Sequence, residues 1–358
     1  MSAAHATVDL DDTEGLLEAD RDGLLRAAAM AGAQVRATAA AVEEGELASV
    51  AGDHRPRTVV WVGGRGAAES AGAMLAATFS GVAGEPIVVA SEPPPWIGPL
   101  DVLVAAGDDA GDPVLVTAAA IAVRRGARVV VAAPYEGPLR DATAGRAAVL
   151  EPRLWAPDEF GLSRYLAVGL AALQAVDPAL QTDLSALADE LDAEALRNSV
   201  SREVFTNPAK ALAERMSGRQ VVLAGDGAST LALARHAAAV LLRLAGKAVS
   251  AAGLSDVLVA LRTGVATQFG DPVDALFHDE ELDGPLSRGP RVLALTLESE
   301  RAKVGARITG LDDVDLVGVE DIGDAGAVRV PSGRAEQQLA TLAVRLQMAA
   351  VYLRLVGG

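Results

Sequence analysis

The same short sequence pattern occurs twice in this chain, and this repetition limits the folds that it can adopt. In each copy a valine-rich apolar run leads into a cluster of glycines, and an alanine-rich helical stretch follows. The two clusters are Gly63-Gly64-Arg65-Gly66 and Gly225-Asp226-Gly227. Each copy predicts a buried strand, a tight turn and a helix, which is half of a doubly wound α/β unit. Two copies about 160 residues apart predict two similar domains.

Hydrophobic patterning divides the chain into a helical N-terminal segment (1–55), a first α/β domain (56–200) and a second (201–358) that ends in a long helix, Ala335–Leu355. Each domain is expected to hold a five-stranded, parallel, doubly wound (Rossmann-like) sheet with flanking helices. Strands are predicted at Val59–Val62, Ile87–Ala90, Val102–Ala105, Ala127–Ala132, Ala147–Leu150, Val221–Ala224, Arg291–Leu297 and Val314–Val319. The acidic stretch Asp271–Asp283 has no assignable pattern.

Composition excludes several classes of function. A net charge of −17 argues against nucleic acid or an anionic membrane as partner, because both attract basic surfaces. The absence of cysteine excludes disulfides and thiolate ligands. No apolar run reaches the length of a membrane span without a charge or a turn residue, and the N-terminus is acidic. We expect a cytoplasmic protein with no metal and no cofactor.

The glycine turns are the first candidates for ligand binding, because a helix N-terminus offers free N–H groups and the positive end of the helix dipole. Neither turn completes the dinucleotide fingerprint: Glu69 and Thr230 stand where the third glycine belongs. Each turn is therefore either an anion site or a plain strand-to-helix corner. The candidate ligand-binding residues are Gly63, Gly64, Arg65, Gly66, Gly225 and Gly227.

Several short motifs occur in an order and spacing that resemble a known family. They are Gly63-Gly64-Arg65-Gly66, Arg124–Val130, Glu151-Pro152-Arg153, Asn207-Pro208, Lys247 and Val351-Tyr352-Leu353. From Arg57 to Leu355 the chain is similar to the double sugar-isomerase (SIS) proteins, and more closely to the bifunctional phosphoglucose/phosphomannose isomerases. Among these it resembles a divergent actinobacterial branch of the TobH type. The resemblance implies a sugar-phosphate ligand and a homodimer whose sites are completed across subunits.

Matched to that family, the ligand-binding motifs are altered. The family's Gly-Gly-Ser-Gly turn has a serine where this chain has Arg65. The family's phosphate loop, Ser-x-Ser-Gly-Asn-Thr, matches a stretch without hydroxyls that carries three carboxylates, Asp108, Asp109 and Asp112. Like charges at about 4 Å repel by about 1–4 kcal/mol in wet or partly wet surroundings, so a phosphate dianion is disfavoured here.

The catalytic groups of the family also lack counterparts. The family glutamate falls near Leu244, its histidine near Ala260 and its C-terminal lysine at Tyr352. Only Arg153 is retained, as a site residue or as half of a surface ion pair.

The remaining candidate groups have less support. Of the four histidines, His236 is expected in the core, and His278 in a solvated loop or near a site. Asp256 is the one acid near the lost base. Trp61, Trp96 and Trp155 are interpreted as packing residues.

Three hypotheses remain. The first is a SIS-fold homologue of sugar-phosphate isomerases without catalytic residues, acting as a carbohydrate-derivative binding or regulatory protein. The second is an active phosphoglucose/phosphomannose isomerase with relocated acid–base residues. The third is a binder of a sugar nucleotide or other anion that uses Arg65 and Arg153 together, because two arginines can hold phosphate without a serine loop.

Overall fold

The computed structural model describes residues 8–52, 54–263, 289–320 and 333–357 of the chain. Within these ranges lie two parallel β-sheets and thirteen α-helices. The acidic stretch Asp271–Asp283 and His278 lie outside the described residues, so what the sequence predicts for them stays a prediction.

The first sheet has the five parallel strands that the sequence predicts, in the order β2-β1-β3-β4-β5. The strands are β1 (Thr58–Gly63), β2 (Ile87–Ala90), β3 (Asp101–Ala106), β4 (Arg128–Ala132) and β5 (Ala148–Val149). Inside the sheet, β1 pairs with β2 on one side and with β3 on the other. Because helices cover both faces, strands such as β3 read as continuous apolar runs rather than as alternating ones.

The second sheet repeats this neighbour order as β7-β6-β8-β9, again with parallel strands. The strands are β6 (Val221–Gly225), β7 (Ser250–Gly253), β8 (Arg291–Leu295) and β9 (Val314–Val317). The sequence misses β7, because Ser-Ala-Ala-Gly contains no β-branched or aromatic residue. The described residues thus form four strands here, where the sequence predicts five.

Helices flank both sheets and make up the N-terminal segment, as the sequence predicts. In the first half they are α1 (Thr13–Ala19), α2 (Leu24–Ala28), α3 (Ala31–Glu43), α4 (Ala67–Phe79), α5 (Pro113–Arg124), α6 (Gly137–Thr143), α7 (Leu162–Val176) and α8 (Leu184–Arg197). In the second half they are α9 (Pro208–Met216), α10 (Ala228–Ala245), α11 (Leu254–Arg262), α12 (Glu298–Ile308) and α13 (Ala335–Gly357). Asn207 caps α9 by accepting from the backbone of Ala209 and Lys210, with proline at the first helical position.

The two glycine turns are structurally equivalent, and steric contact explains why each needs a glycine at the end of its strand. A Cβ on Gly63 would lie 2.9 Å from the backbone nitrogen of Glu69. A Cβ on Gly225 would overlap the backbone nitrogen of Leu231. In both turns the crowding residue is the sixth one after the glycine, in the first turn of the following helix. The repeated sequence pattern therefore corresponds to a repeated close approach of helix to strand.

The long C-terminal helix α13 packs against α8, α9 and α10. Its apolar residues Leu339, Leu342, Leu346 and Met348 are buried within the chain. Helices of the same chain therefore cover this apolar face. By length and composition alone, α10 and α13 could each cross a membrane. However, 56% of the apolar stretch of α10 and 89% of that of α13 are buried in the fold.

A buried ion pair holds α13 to α8. Arg345 (2% exposed) donates through Nε to Glu194 (0% exposed) at 2.7 Å, and its other nitrogens donate to the carbonyls of Gly318 and Val319. Burial opposes ionisation of Glu194, but the Arg345 charge prevails and lowers the pKa of the carboxyl. This pair connects the C-terminal helix both to the first half of the chain and to the segment after β9.

We expect Glu194→Gln to lower the free energy of unfolding by about 3–5 kcal/mol, because it leaves the Arg345 charge buried and unpaired. The measurement is urea denaturation followed by circular dichroism. Glu190→Gln, on the same helix, is the matched control and is expected to change stability by less than about 0.5 kcal/mol. Equal stabilities of the two variants would show that the ion pair does not stabilise the fold.

His236 lies on α10, which packs against α4, and it is in the core as the sequence predicts. Burial, with a smaller contribution from the Arg243 charge, lowers its pKa to about 4. An unfolded histidine has a pKa of about 6.5, so between these values only the unfolded chain binds the proton. Stability linked to His236 is therefore complete above about pH 6.5 and declines as the pH falls toward 4.

When the pH is lowered from 7 to 5, we expect the free energy of unfolding to fall by about 2 kcal/mol less in His236→Gln than in the unmodified chain. The reason is that the variant has no proton to take up at this position. Urea denaturation at the two pH values measures the difference. His54→Gln, at an exposed histidine, is the control and should follow the unmodified chain. A parallel pH response of all three proteins would contradict the prediction.

Candidate functional site

Ligands of open parallel sheets bind outside the carboxyl ends of the strands, where neighbouring strands connect to opposite sides. In the first sheet this point lies between β1 and β3, since β2 flanks β1 on the other side. The turn Gly63–Gly66 and the loop that follows β3 meet here. A Cβ on Gly64 would lie 3.4 Å from the Cα of Gly107, so the two backbones are close.

Two carboxylates of the loop after β3 accept from backbone amides of the loop and of the start of α5. The Asp109 carboxylate accepts from the amide of Gly111 at 2.7 Å, and the Asp112 carboxylate accepts from the amide of Val114 at 2.8 Å. Asp112 thereby caps α5, whose N-terminus would otherwise present free N–H groups to an anion. Both carboxylates thus accept from amides that could otherwise donate to an anion.

A cavity of about 300 Å³ opens beside this loop, at the carboxyl ends of the strands. Its lining residues come from the loops after β3, β4 and β5 and from helices α3 and α7: Gln34, Asp108, Pro134, Pro152, Arg153, Leu154, Trp155, Ala156, Asp158, Gly161 and Arg164. The sequence interpretation of Trp155 as a packing residue is wrong, because its side chain is 83% exposed at the cavity wall. All lining residues belong to the first half of the chain.

Arg164, in the first turn of α7, is the most constrained charged group of the cavity and is 7% exposed. Its Nη2 donates to the Asp108 carboxylate at 2.7 Å, and its guanidinium lies 4.1 Å from the centre of the Tyr165 ring. The Tyr165 hydroxyl also donates to Asp108, and burial raises the pKa of this hydroxyl. By contrast, Nη1 of Arg164 is buried with no hydrogen-bond partner among the described residues.

Arg153 forms a surface ion pair, one of the two roles that the sequence leaves open, and it also lies at the cavity. It lines the cavity, and it forms a two-pronged ion pair with Glu44, with one N–O distance of 2.8 Å. The hydrogen bonds between the two side chains raise the pKa of Arg153 and lower that of Glu44. The Arg153 and Glu44 side chains are 34% and 56% exposed, so solvent screens this pair and it can open at little cost.

A short 3₁₀ segment, Asp158–Phe160, forms another part of the cavity wall. Helix α7 begins at Leu162, directly after this segment and Gly161. Burial, followed by the nearby Asp108 and Glu159 carboxylates, raises the pKa of Asp158.

Three contacts from other helices hold the Asp158–Phe160 segment. Gln34 donates to the carbonyl of Phe160 at 3.1 Å, and Gln347 donates to the carbonyl of Glu159 at 3.1 Å. The Glu159 carboxylate pairs with Arg243 at 2.7 Å. Helices α3, α10 and α13 thus fix this wall, and two of them belong to the second half.

Arg65 and Arg153 are not brought together in one cavity. Arg65 is exposed at the first glycine turn and is absent from the lining of the 300 Å³ cavity, where Arg164 accompanies Arg153 instead. Gly66 has a φ of 82°, which favours glycine, and α4 begins without a side-chain cap. The hypothesis of a shared anion site of Arg65 and Arg153 therefore lacks geometric support.

The second glycine turn is occupied by side chains of its own half. Asp226 pairs with Lys303 at 3.0 Å and also with Arg307. A Cβ on Gly227 would lie 2.6 Å from Oε1 of Glu300, and burial, with the Asp226 charge, raises the pKa of Glu300. Gly225 and Gly227 are thus part of a turn that is closed by protein carboxylates.

The positions matched to the family's catalytic groups do not form an acid–base site. Leu244 is buried, and the buried hydroxyl of Tyr352 donates to the carbonyl of Asn198 at 2.6 Å. Asp256 is exposed in the first turn of α11. Neither histidine in the described part of the chain, His54 or His236, lines the 300 Å³ cavity. No cluster of three potential metal ligands occurs among the described residues.

No protein-family model matches the chain, and no curated protein sequence matches it. Solved structures do. A glucose-6-phosphate isomerase-like protein from Thermus thermophilus is 21% identical, with 98% of this chain and 94% of that chain covered and a TM-score of 0.53. Glucosamine-6-phosphate deaminase from Thermotoga maritima is 12% identical, with 94% and 95% covered and a TM-score of 0.61.

Tagatose-6-phosphate ketose/aldose isomerase from Escherichia coli is 16% identical, with 100% of this chain and 95% of that chain covered and a TM-score of 0.58. At these identities the likeness concerns the fold, and it extends over nearly the whole chain. Two parallel sheets with the same neighbour order and equivalent glycine turns agree with it. The chain therefore has the α/β fold of the SIS-domain phosphosugar isomerases.

Proposed function

We propose that this protein is a SIS-fold homologue of sugar-phosphate isomerases that binds a small carbohydrate derivative and does not isomerise sugar phosphates. The observation that carries this proposal is the loop after β3, where the Asp109 and Asp112 carboxylates accept from the amides of Gly111 and Val114. Placement in the phosphoglucose/phosphomannose branch, and in its TobH-type subgroup, is part of the proposal and is supported by the motifs around Gly63–Gly66, Arg153 and Asn207.

Electrostatics argue against a phosphate in this loop. A dianion placed there would meet the carboxylates of Asp109 and Asp112 and would have to displace them from the amides that they accept from. Each like-charge pair at about 4 Å costs about 1–4 kcal/mol in partly wet surroundings. A sugar phosphate would thus lose both the donors and the charge balance that hold its phosphate in an active isomerase.

The cavity beside the loop can still bind a small polar molecule. Its volume of about 300 Å³ is at the lower end of the range for small-molecule sites. Arginine, carboxylate and amide side chains offer hydrogen bonds to hydroxyl groups, and the exposed indole of Trp155 offers a flat apolar surface. This mixture suits a carbohydrate derivative, which has polar edges and apolar C–H faces.

One observation favours the alternative of an active isomerase with relocated acid–base residues. Asp158 lines the cavity, and burial and neighbouring carboxylates raise its pKa. Carboxyl groups with such shifts are found at acid–base sites. We rank this alternative second, because no second acid–base group of the described residues stands opposite Asp158 in the cavity, apart from Asp108, which is bound to Arg164 and Tyr165.

The remaining parts of the proposal concern location and assembly. We infer a cytoplasmic protein without nucleic acid or membrane partners, supported by the net charge of −17. A homodimer is also proposed, with the family resemblance as its support. The apolar face of α13 does not support a homodimer, because helices of the same chain cover that face.

We expect the purified protein not to interconvert fructose 6-phosphate with glucose 6-phosphate or mannose 6-phosphate above the uncatalysed rate. The physical reason is the blocked phosphate loop together with the missing base. Proton NMR of each sugar phosphate over several hours measures turnover directly. Turnover at an ordinary enzyme rate, abolished by Asp158→Asn, would establish the alternative in place of the proposal.

We also expect the double substitution Asp109→Ser and Asp112→Ser to strengthen binding of inorganic phosphate at least about tenfold. It removes two charges that repel the anion, about 1 kcal/mol each at the lower limit, while serine keeps a capping hydroxyl on α5. Isothermal titration calorimetry measures the change. Asp141→Ser, at an exposed aspartate of α6, is the control. Unchanged phosphate affinity in the double variant would disprove the electrostatic block.

A further inference from the structure

We infer that the amino-terminal edge of the first sheet is a docking surface for an acidic polypeptide segment that also carries aliphatic side chains. The surface, which we call the arginine edge, consists of Trp96, Leu100, Arg124, Arg125, Arg128 and Arg146. It lies at the opposite end of the strands from the 300 Å³ cavity, so it is separate from the proposed binding function. It combines positive charge with exposed apolar side chains, in a chain whose net charge is −17.

The register of the sheet brings the arginines to one edge. Arg128 begins β4 beside Val102 of β3, and Arg146 precedes the first residue of β5 by two positions. Arg124 and Arg125 end α5, the helix that leads back to the start of β4. Neighbouring strands are about 4.8 Å apart, so the edge from β1 to β5 spans about 15 Å. About five residues of an extended peptide cover that length.

The arginine edge has more positive charge than the nearby carboxylates neutralise. The Asp101 carboxylate at the start of β3 is committed to Arg57. Arg125 and Arg128 donate instead to backbone carbonyls, which carry no net charge. Within the described ranges, no carboxylate forms an ion pair with any of the four arginines of the edge. Their charge is therefore left for an external anion.

Trp96 and Leu100 make the arginine edge partly apolar, since they are 44% and 65% exposed. The loop that carries them is held in place. Arg57 lies 5.5 Å from the centre of the Trp96 ring and donates to the Trp96 carbonyl at 3.0 Å. A Cβ on Gly126, just after α5, would lie 3.5 Å from Cγ of Pro99. Because the loop is already ordered, a partner loses little by fixing it.

A peptide with carboxylates matches this surface better than a polynucleotide does. Guanidinium groups form two-pronged hydrogen bonds with carboxylates, and Leu100 offers a contact to aliphatic side chains. Arg57 already lies over the Trp96 ring, which leaves less of that ring for a stacked base. The net charge of −17 also repels a long polyanion more strongly than a short acidic segment.

Fluorescence anisotropy of the unmodified protein with four labelled probes tests the kind of partner. The probes are a peptide of six glutamates and two leucines, the same peptide with glutamine for glutamate, octaglutamate, and an oligothymidylate of eight nucleotides. We expect the glutamate–leucine peptide to bind about tenfold or more tightly than the glutamine version, because several exposed ion pairs form together. It should also bind more tightly than the other two probes, which have no aliphatic side chains, and its affinity should fall with added salt. Equal or tighter binding of any other probe, or no binding of the glutamate–leucine peptide, would overturn the inference.

Paired substitutions locate the surface. Arg124→Gln with Arg125→Gln is expected to weaken binding of the glutamate–leucine peptide about fivefold or more, because two exposed ion pairs are lost. Arg235→Gln with Arg262→Gln, at exposed arginines of α10 and α11, is the matched control, since both double variants have the same net charge. Equal losses in the two double variants would overturn the inference. Thermal unfolding shows whether each variant folds, and Arg146→Gln takes the place of the first pair if that pair does not fold.

Trp96→Ala tests the apolar part of the arginine edge. We expect it to weaken binding of the glutamate–leucine peptide and to leave binding of octaglutamate unchanged, because only the first peptide has aliphatic side chains to pack there. Equal weakening of both peptides, or of neither, would contradict an apolar contact at Trp96.

Discussion

The ion pair of Arg345 with Glu194 is the interaction on which the arrangement of the two halves depends. Both groups are buried, and Arg345 also satisfies the carbonyls of Gly318 and Val319 beyond β9. An isolated charge in that position would be several kcal/mol less favourable, so arrangements of the halves that separate the pair are disfavoured. The apolar contacts of α13 supply stabilisation, and the ion pair supplies a unique register.

Both glycine turns of this fold keep their steric role, and carboxylates of the protein lie beside each of them. Gly63 and Gly225 are required by the close approach of helix to strand, whatever the turn binds. Around them the chain supplies its own anions: Asp112 at α5, and Glu300 with Asp226 at the second turn. The protein's own carboxylates thus provide the negative charge that helix N-termini attract, and the fold persists without a phosphate.

The sequence predicts the fold well, because valine-rich runs, glycine turns and proline-capped helices are local signals. It misses β7, where neighbouring strands rather than β-branched residues make the strand. It also misses Arg164, although a lone arginine in the apolar run of α7 is an unusual residue to bury. Its Nη2 pairs with Asp108, 56 residues away, and no pattern within α7 encodes that contact. The sequence also does not predict the exposure of Trp155, because that exposure depends on the loops around it.

The segment Asp158–Phe160 has a consequence for how this fold could evolve. It lines a cavity built wholly from the first half, yet α10 and α13 of the second half hold it through Arg243 and Gln347. The second half therefore shapes the cavity without touching its contents. Substitutions there can change which molecules fit while every lining residue stays the same, so ligand preference is free to drift through the half that carries no binding group.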